Sequence, residues 1–109
     1  MGRDRLGEFE HQLLLALLRL GGEAYSVPLV LELEERAGRE VSQSSVFIVL
    51  RRLETKGLLT SRMDDHAKRE TGRVRRYFAL TPEAIARLKE FRQALFSLWE
   101  GVGAQLDEA

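Results

Sequence analysis

Near the start of this chain, apolar residues return every three or four positions: Leu6, Phe9, Leu13, Ala16, Leu17 and Leu20. That spacing lays one apolar stripe along a helix, so LGEFEHQLLLALLRLGGE predicts a first helix. Leu14, Leu15 and Leu18 widen the stripe, which places this helix against neighbours on more than one side. Gly21 and Gly22 end it. A second helix is predicted over YSVPLVLELEERAGRE, with Ser26 as cap and Pro28 in the first turn. Leu29, Val30, Leu33 and Ala37 form its inner face, and Glu32, Glu34, Glu35 and Arg36 most of its outer one. Gly38 closes it. The third, VSQSSVFIVLRRLETKGLL, opens on Ser42 as N-cap and stops at Gly57. Val46, Val49, Leu50 and Leu53 share one side. About 180° away lie Ser44, Ile48, Arg51 and Thr55, with Phe47 beside them and Gln43 in the first turn.

The period then changes. Leu58 to Met63 and Val74 to Leu80 read as two strands, and Val74, Tyr77 and Phe78 are good strand formers. The segment between them, Asp64 to Arg73, is too long for a tight turn, so the hairpin carries a long tip. Thr81-Pro82-Glu83 is a helix start: a cap, a proline in the first turn and an acid beside it. The final helix is predicted to run to about Gly101 or beyond. Ile85, Leu88, Leu95, Trp99 and Val102 mark one apolar spacing on it, and Ala84, Leu88, Phe91, Leu95, Leu98 and Val102 a second. Together they are wider than a lone helix needs against a small domain, which predicts packing against another chain. The expected fold is mainly α with a small β-hairpin. Residues 1–80 form a winged helix-turn-helix and 81–109 a C-terminal dimerisation helix.

Composition removes several classes of function. At 109 residues the chain is most simply one compact unit. There is no cysteine, so disulfides, thiolate metal sites and cysteine nucleophiles are excluded. No apolar run approaches the roughly 20 residues of a membrane span, and the N-terminus lacks an apolar signal core. By elimination the expected compartment is the cytoplasm, with no membrane partner. Net charge is zero. That argues against attraction to a polyanion by overall charge, but fields act over about 8–10 Å, which leaves room for a local patch. Such a patch exists: Lys68, Arg69, Arg73, Arg75 and Arg76 crowd the second half of the hairpin.

Three helices followed by a basic hairpin is the order of a winged helix-turn-helix. The short turn GREVS joins helices two and three, and the third is the candidate reader of a DNA major groove. The hairpin is then the wing, whose cations suit phosphates or the minor groove; taken alone it is equally a solvated charged loop. Gln43, Ser44 and Arg51 supply hydrogen bonds for base edges or phosphates. Ile48 either meets a thymine methyl or packs on a neighbouring element. The expected partners are double-stranded DNA and a second copy of the chain, with no cofactor. A protein-interaction module without DNA binding is the alternative. An enzyme is not expected. Asp64, Asp65 and His66 resemble a metal or acid–base cluster only superficially, since they sit at a hairpin tip with nothing to orient them. His11 is expected at a surface or interface.

Four stretches carry a resemblance to a known family. They are LGEFE before a leucine-rich helix, AYS-x-x-L, VSQSSVF-x-x-LRRLE-x-KGL, and RRYF-x-LTPEA. In this order and spacing, over about residues 6 to 100, the chain resembles the PadR family of winged-helix transcription regulators, in its branch with a single C-terminal helix. The resemblance implies a homodimer, often a repressor, on an inverted repeat. Pairing would run through the last helix with help from the first, which assigns Phe9, Leu13, Ile85, Leu88, Phe91, Leu95, Leu98, Trp99 and Val102 to the dimer interface. It implies DNA contact by Gln43, Ser44, Ser45, Phe47 and Arg51 and by the wing cations. A small aromatic effector at the dimer interface is also implied. Trp99 is its candidate platform, although it falls about one turn beyond the expected position, where Leu95 stands; its plainer role is an interface anchor. Many relatives carry Tyr at Phe47 and Gly at Ser26.

Overall fold

A computed structural model describes residues 5–64 and 74–109. Its elements follow in the order α1 (Glu8–Arg19), β1 (Glu23–Ala24), α2 (Ser26–Ala37), α3 (Gln43–Thr55), β2 (Leu59–Asp64), β3 (Arg75–Leu80), α4 (Pro82–Trp99) and α5 (Gly103–Glu108). The predicted helix starts are set by local chemistry. Ser42 Oγ accepts the Ser45 N–H at 3.1 Å, and Thr81 Oγ1 accepts that of Ala84 at 3.2 Å. Thr81 also donates to the Gly57 carbonyl at 2.9 Å, tying the start of α4 to the end of α3. Gly38 ends α2 in the left-handed conformation, φ 62°.

Ser26 does not cap α2. Tyr25 occupies the N-cap position with no side-chain cap bond, because the chain leaves β1 still extended and turns helical at Ser26. That two-residue strand was not foreseen. Glu23 and Ala24 pair antiparallel with Ala79 and Phe78, giving a three-stranded sheet of order β1-β3-β2. β2 begins one residue later than predicted and Val74 lies just before β3. The last helix is shorter than predicted. It stops at Trp99, since Glu100 leaves helical geometry and Gly101 follows at φ 81°, and a separate short helix resumes after Val102.

The core lies where α1, α2 and α3 meet the inner face of the sheet. Leu14, Leu17, Leu29, Leu50, Leu53 and Phe78 are among its fully enclosed side chains. Ala37, expected inside, is exposed at the end of α2. Leu13 is 0% and Leu88 6% exposed. Both were assigned to an interface between chains; within the protomer their side chains pack into its own core, and Leu88 also edges an open groove between α1 and α4. The far half of α4 reaches past this core. The radius of gyration is 16.1 Å, against about 13 Å for a compact domain of this length.

Candidate nucleic-acid interface

α3 is amphipathic in the sense its sequence predicts. Val46, Val49, Leu50 and Leu53 are buried, and Gln43, Ser44, Ser45, Phe47, Ile48 and Arg51 are exposed. Ile48 is 61% exposed, so among the described residues no neighbouring element covers most of its side chain. Phe47 is only partly free: its ring stands edge-on to buried Phe78, centroids 5.8 Å apart. Ser42, Ser44 and Ser45 form a small hydroxyl cluster, with Oγ–Oγ distances of 3.2 and 2.9 Å from Ser42.

The wing strands sort their side chains by the two-residue period of a strand. On β3, Arg76, Phe78 and Leu80 face α3, while Arg75, Tyr77 and Ala79 face outward. On β2, Leu59, Ser61 and Met63 share the inner face, opposite Leu80, Phe78 and Arg76 in turn. Arg75 and Arg76 therefore leave the strand on opposite faces, and only the edge of the sheet lets both reach the same groove. Arg76 Nη1 donates to Ser61 Oγ at 2.9 Å, on the α3 side. The Arg75 guanidinium lies over the Tyr25 ring at 4.4 Å. A hydrogen bond with Tyr77 is the main reason its pKa is raised. Lys68, Arg69 and Arg73, the other wing cations, lie outside the described residues, as do Asp65 and His66.

The outer sheet face carries a cluster that sequence reasoning missed. Tyr25 and Tyr77 rings sit 5.4 Å apart, and the Arg62 guanidinium lies 4.8 Å over Tyr77. Arg62 grips Glu23 through two bonds of 3.1 and 3.0 Å, which hold the Glu23 carboxyl below its usual range. Arg62, Arg75 and Tyr77 alternate correctly for one face. Their partners Glu23 and Tyr25 come from β1 and its exit, whose pairing has no signal in a two-residue strand.

Between the start of α2, the start of α3 and the wing runs an open groove of about 910 Å³. Tyr25, Ser26, Gln43, Phe47, Arg75 and Arg76 are on its walls. It brings together reading-helix and wing residues that are about 30 positions apart in sequence. A second, apolar groove of about 420 Å³ lies between α1 and α4, lined by His11, Leu15, Leu18, Ile85, Leu95 and Trp99 among others. His11 meets the Phe91 ring edge-on at 4.4 Å, and burial lowers its pKa from 6.5. Phe9 packs partly on the core with Arg39 over its ring at 5.1 Å. Phe96, 66% exposed, also lines this groove, while Leu98, 74% exposed, stands on a different side of α4; Leu95, Trp99 and Val102 are exposed as well. Among the described residues no group of acids and histidines is placed to hold a metal, and no helix is long and apolar enough to cross a membrane.

A three-helix unit whose third helix lies bare beside a β-wing is a winged helix-turn-helix, the architecture of a large class of DNA-binding proteins. F93 from STIV, described as a winged-helix DNA-binding protein, shares this fold, with a TM-score of 0.70 at 12% identity over 90% of this chain and 98% of its own. Within that class the chain belongs to the transcriptional regulator PadR-like family, which it matches over residues 14–90. A PadR family transcriptional regulator from Eggerthella lenta DSM 2243 is 30% identical, with a TM-score of 0.66 over 89% of this chain and 82% of that one. A PadR family regulator from Clostridium difficile R20291 superposes with a TM-score of 0.70 at 21% identity, over 92% and 98% of the two chains. A search of curated proteins finds no match.

Proposed function

We infer that the chain is a homodimeric, sequence-specific DNA-binding regulator, acting in the cytoplasm as a repressor on an inverted-repeat operator. Residues 1–80 read DNA and 81–109 pair the protomers. α3 enters the major groove, with Gln43, Ser44, Ser45, Ile48 and Arg51 toward base edges and neighbouring phosphates, and Arg75 and Arg76 meet the flanking backbone. The wing cations outside the described residues join them. The observation that carries this reading is the bare outer face of α3, where polar side chains and an unburied isoleucine flank the cation-bearing wing. A solvated helix has no need of an exposed Ile48, whereas a thymine methyl supplies it with an apolar partner.

Pairing is supported by the projecting half of α4. Leu95, Phe96, Leu98 and Trp99 stay in water in one protomer and are covered if α4 lies against its counterpart, helped by Phe9, Ile85, Phe91 and Val102. The groove between α1 and α4, with Trp99 on its wall, then borders the interface and suits a small aromatic effector. Such an effector relieves repression only by binding better to the dimer that cannot hold DNA. The work is binding, and no cofactor enters it.

Selection from a random DNA library with the purified protein, followed by titration at several salt concentrations, tests this. An enriched inverted repeat is expected, with log K falling against log salt at a slope near −5 for about six phosphate contacts per dimer. No enrichment, with weak and shallow binding, would replace it with a protein-interaction module that keeps the fold and not the DNA.

A further inference from the structure

Arg51 and Arg76 come from different elements, yet one short relay joins them. Arg51 Nε lies 3.5 Å from Glu54 Oε1 on α3. Ser61 on β2 donates its hydroxyl to Glu54 Oε2 at 2.6 Å and accepts from Arg76 Nη1 of β3 at 2.9 Å. Ser61 pairs with Phe78, so Arg76, two residues earlier on the same face, is its diagonal neighbour across the strands. We propose that Glu54 and Ser61 are positioning residues that lock the wing to the reading helix and fix where Arg51 and Arg76 meet DNA. This rests on the reading that α3 and the wing contact DNA together.

The chemistry suits that role. A hydroxyl has one proton to give and lone pairs to receive, so Ser61 can take the guanidinium on one side and pass its own proton to the carboxylate on the other. Arg76 commits one N–H of its fork and keeps the rest for phosphate or base. A direct Arg76–Glu54 pair would spend more of that fork. Glu54 itself is a negative charge among the cations that face a polyanion. By Coulomb repulsion alone it weakens DNA binding, so whatever it contributes must come from geometry. The connection from α3 to β2 is short, and the relay braces this corner where α3 and the wing strands open toward solvent. Helix and wing can then reach their contacts simultaneously without being reordered on binding.

The test compares affinity for the duplex enriched by selection with affinity for a random-sequence duplex. Ser61→Ala should lower the ratio of the two about tenfold, the worth of one charge-assisted hydrogen bond, with the salt slope unchanged because no cation is lost. Ser61→Thr, which keeps the hydroxyl, should restore the ratio. Glu54→Gln should lower the same ratio while raising affinity for random DNA. A ratio within twofold of wild type in both Ser61→Ala and Glu54→Gln would overturn the proposal, and so would a loss that Ser61→Thr fails to repair. If the wild type binds neither duplex, the functional reading fails by itself. The relay is then judged on the free protein by NMR of the Arg76 guanidinium. Rotation about Nε–Cζ that is slow in wild type and fast in Ser61→Ala supports it, and equal rates overturn it.

Discussion

Replacing Glu10 with alanine should cost more stability than any substitution on the outer face of α3. Glu10 lies in the first turn of α1, yet its carboxylate ties the start of α1 to the end of α3. Oε1 accepts the Gly7 N–H at 3.0 Å, and Oε2 accepts from Lys56 Nζ at 2.8 Å, just past the end of α3. The two side chains are only 9% and 19% exposed. Glu10→Ala therefore strands a mostly buried ammonium, leaving it the Arg5 carbonyl at 3.4 Å, and orphans a helix-start N–H. Breaking one side of a buried pair costs about 3–5 kcal/mol; partial solvent access puts this case near the lower end, about 3 kcal/mol. Out of a total of about 5–15 kcal/mol, that is a large fraction, and it should lower Tm by roughly 12–20 °C.

The pH dependence gives a second, independent reading. Burial raises the Glu10 pKa, but the Lys56 hydrogen bond, the Gly7 N–H and the charges of Lys56 and Arg52 together outweigh it, so the native value is lowered from 4.5. A carboxyl depressed in the native state stabilises fully above its unfolded pKa, and loses that contribution as pH falls through the native one. The gap between wild type and Glu10→Ala should thus be constant above pH 4.5 and narrow below it. Urea unfolding at fixed protein concentration, at neutral pH and through the acid range, measures both. A gap under about 1 kcal/mol at neutral pH, or one that does not narrow in acid, would refute the reasoning.

Arg75→Ala and Arg76→Ala, each removing one phosphate contact per protomer, should flatten the salt slope of a dimer by about 2, read by titrating DNA at several salt concentrations; an unchanged slope for either takes that residue off the backbone. Leu95→Glu should convert the dimer to a monomer at micromolar concentration in sedimentation velocity, because a carboxylate cannot enter an apolar helix interface unpaired. A wild type that already sediments as a monomer sinks the pairing itself. Ile48→Ser should leave stability within about 0.5 kcal/mol, since the side chain is largely in water, and yet shift the base preference recovered by selection. A melting point several degrees lower would instead mark Ile48 as a packing residue.

Local chemistry was legible in the sequence, and pairing was not. Ser42, Thr81-Pro82 and Gly38 announce helix ends because capping bonds and left-handed turns depend on a few adjacent residues. The outer face of α3 follows from period alone. Leu13 and Leu88 sit on stripes wider than one contact needs, and both turn out to be buried in the protomer's own core. Period cannot say which part of a wide stripe faces the chain's own core. β1 is too short for any period, so the third strand and the Tyr25–Tyr77 stack were invisible. Arg75 and Arg76 look like one basic cluster in sequence, and only strand geometry parts them. Ser61 and Glu54 gain their roles from the register of β2 on β3, which composition does not encode.

Zero net charge and a DNA-facing surface are reconciled by where the acids stand. On the α2 side, Glu32 is held by Arg19 at 2.9 Å and by Arg36 at 3.5 Å, and Glu34 and Glu35 face water. On the wing side, cations also have acids at hand: Arg62 has Glu23 and Asp64, Arg51 has Glu54, and Arg76 reaches Glu54 through Ser61. Arg75 rests on the Tyr25 ring. Each acid close to a cation lowers the potential that a passing duplex meets, so attraction to arbitrary DNA is damped. A phosphate then competes for guanidiniums that are already engaged, and it wins only where it arrives at the position these pairs define. On the proposed reading, affinity at a wrong site falls more than at a right one, and neutral overall charge then serves discrimination rather than obstructing binding.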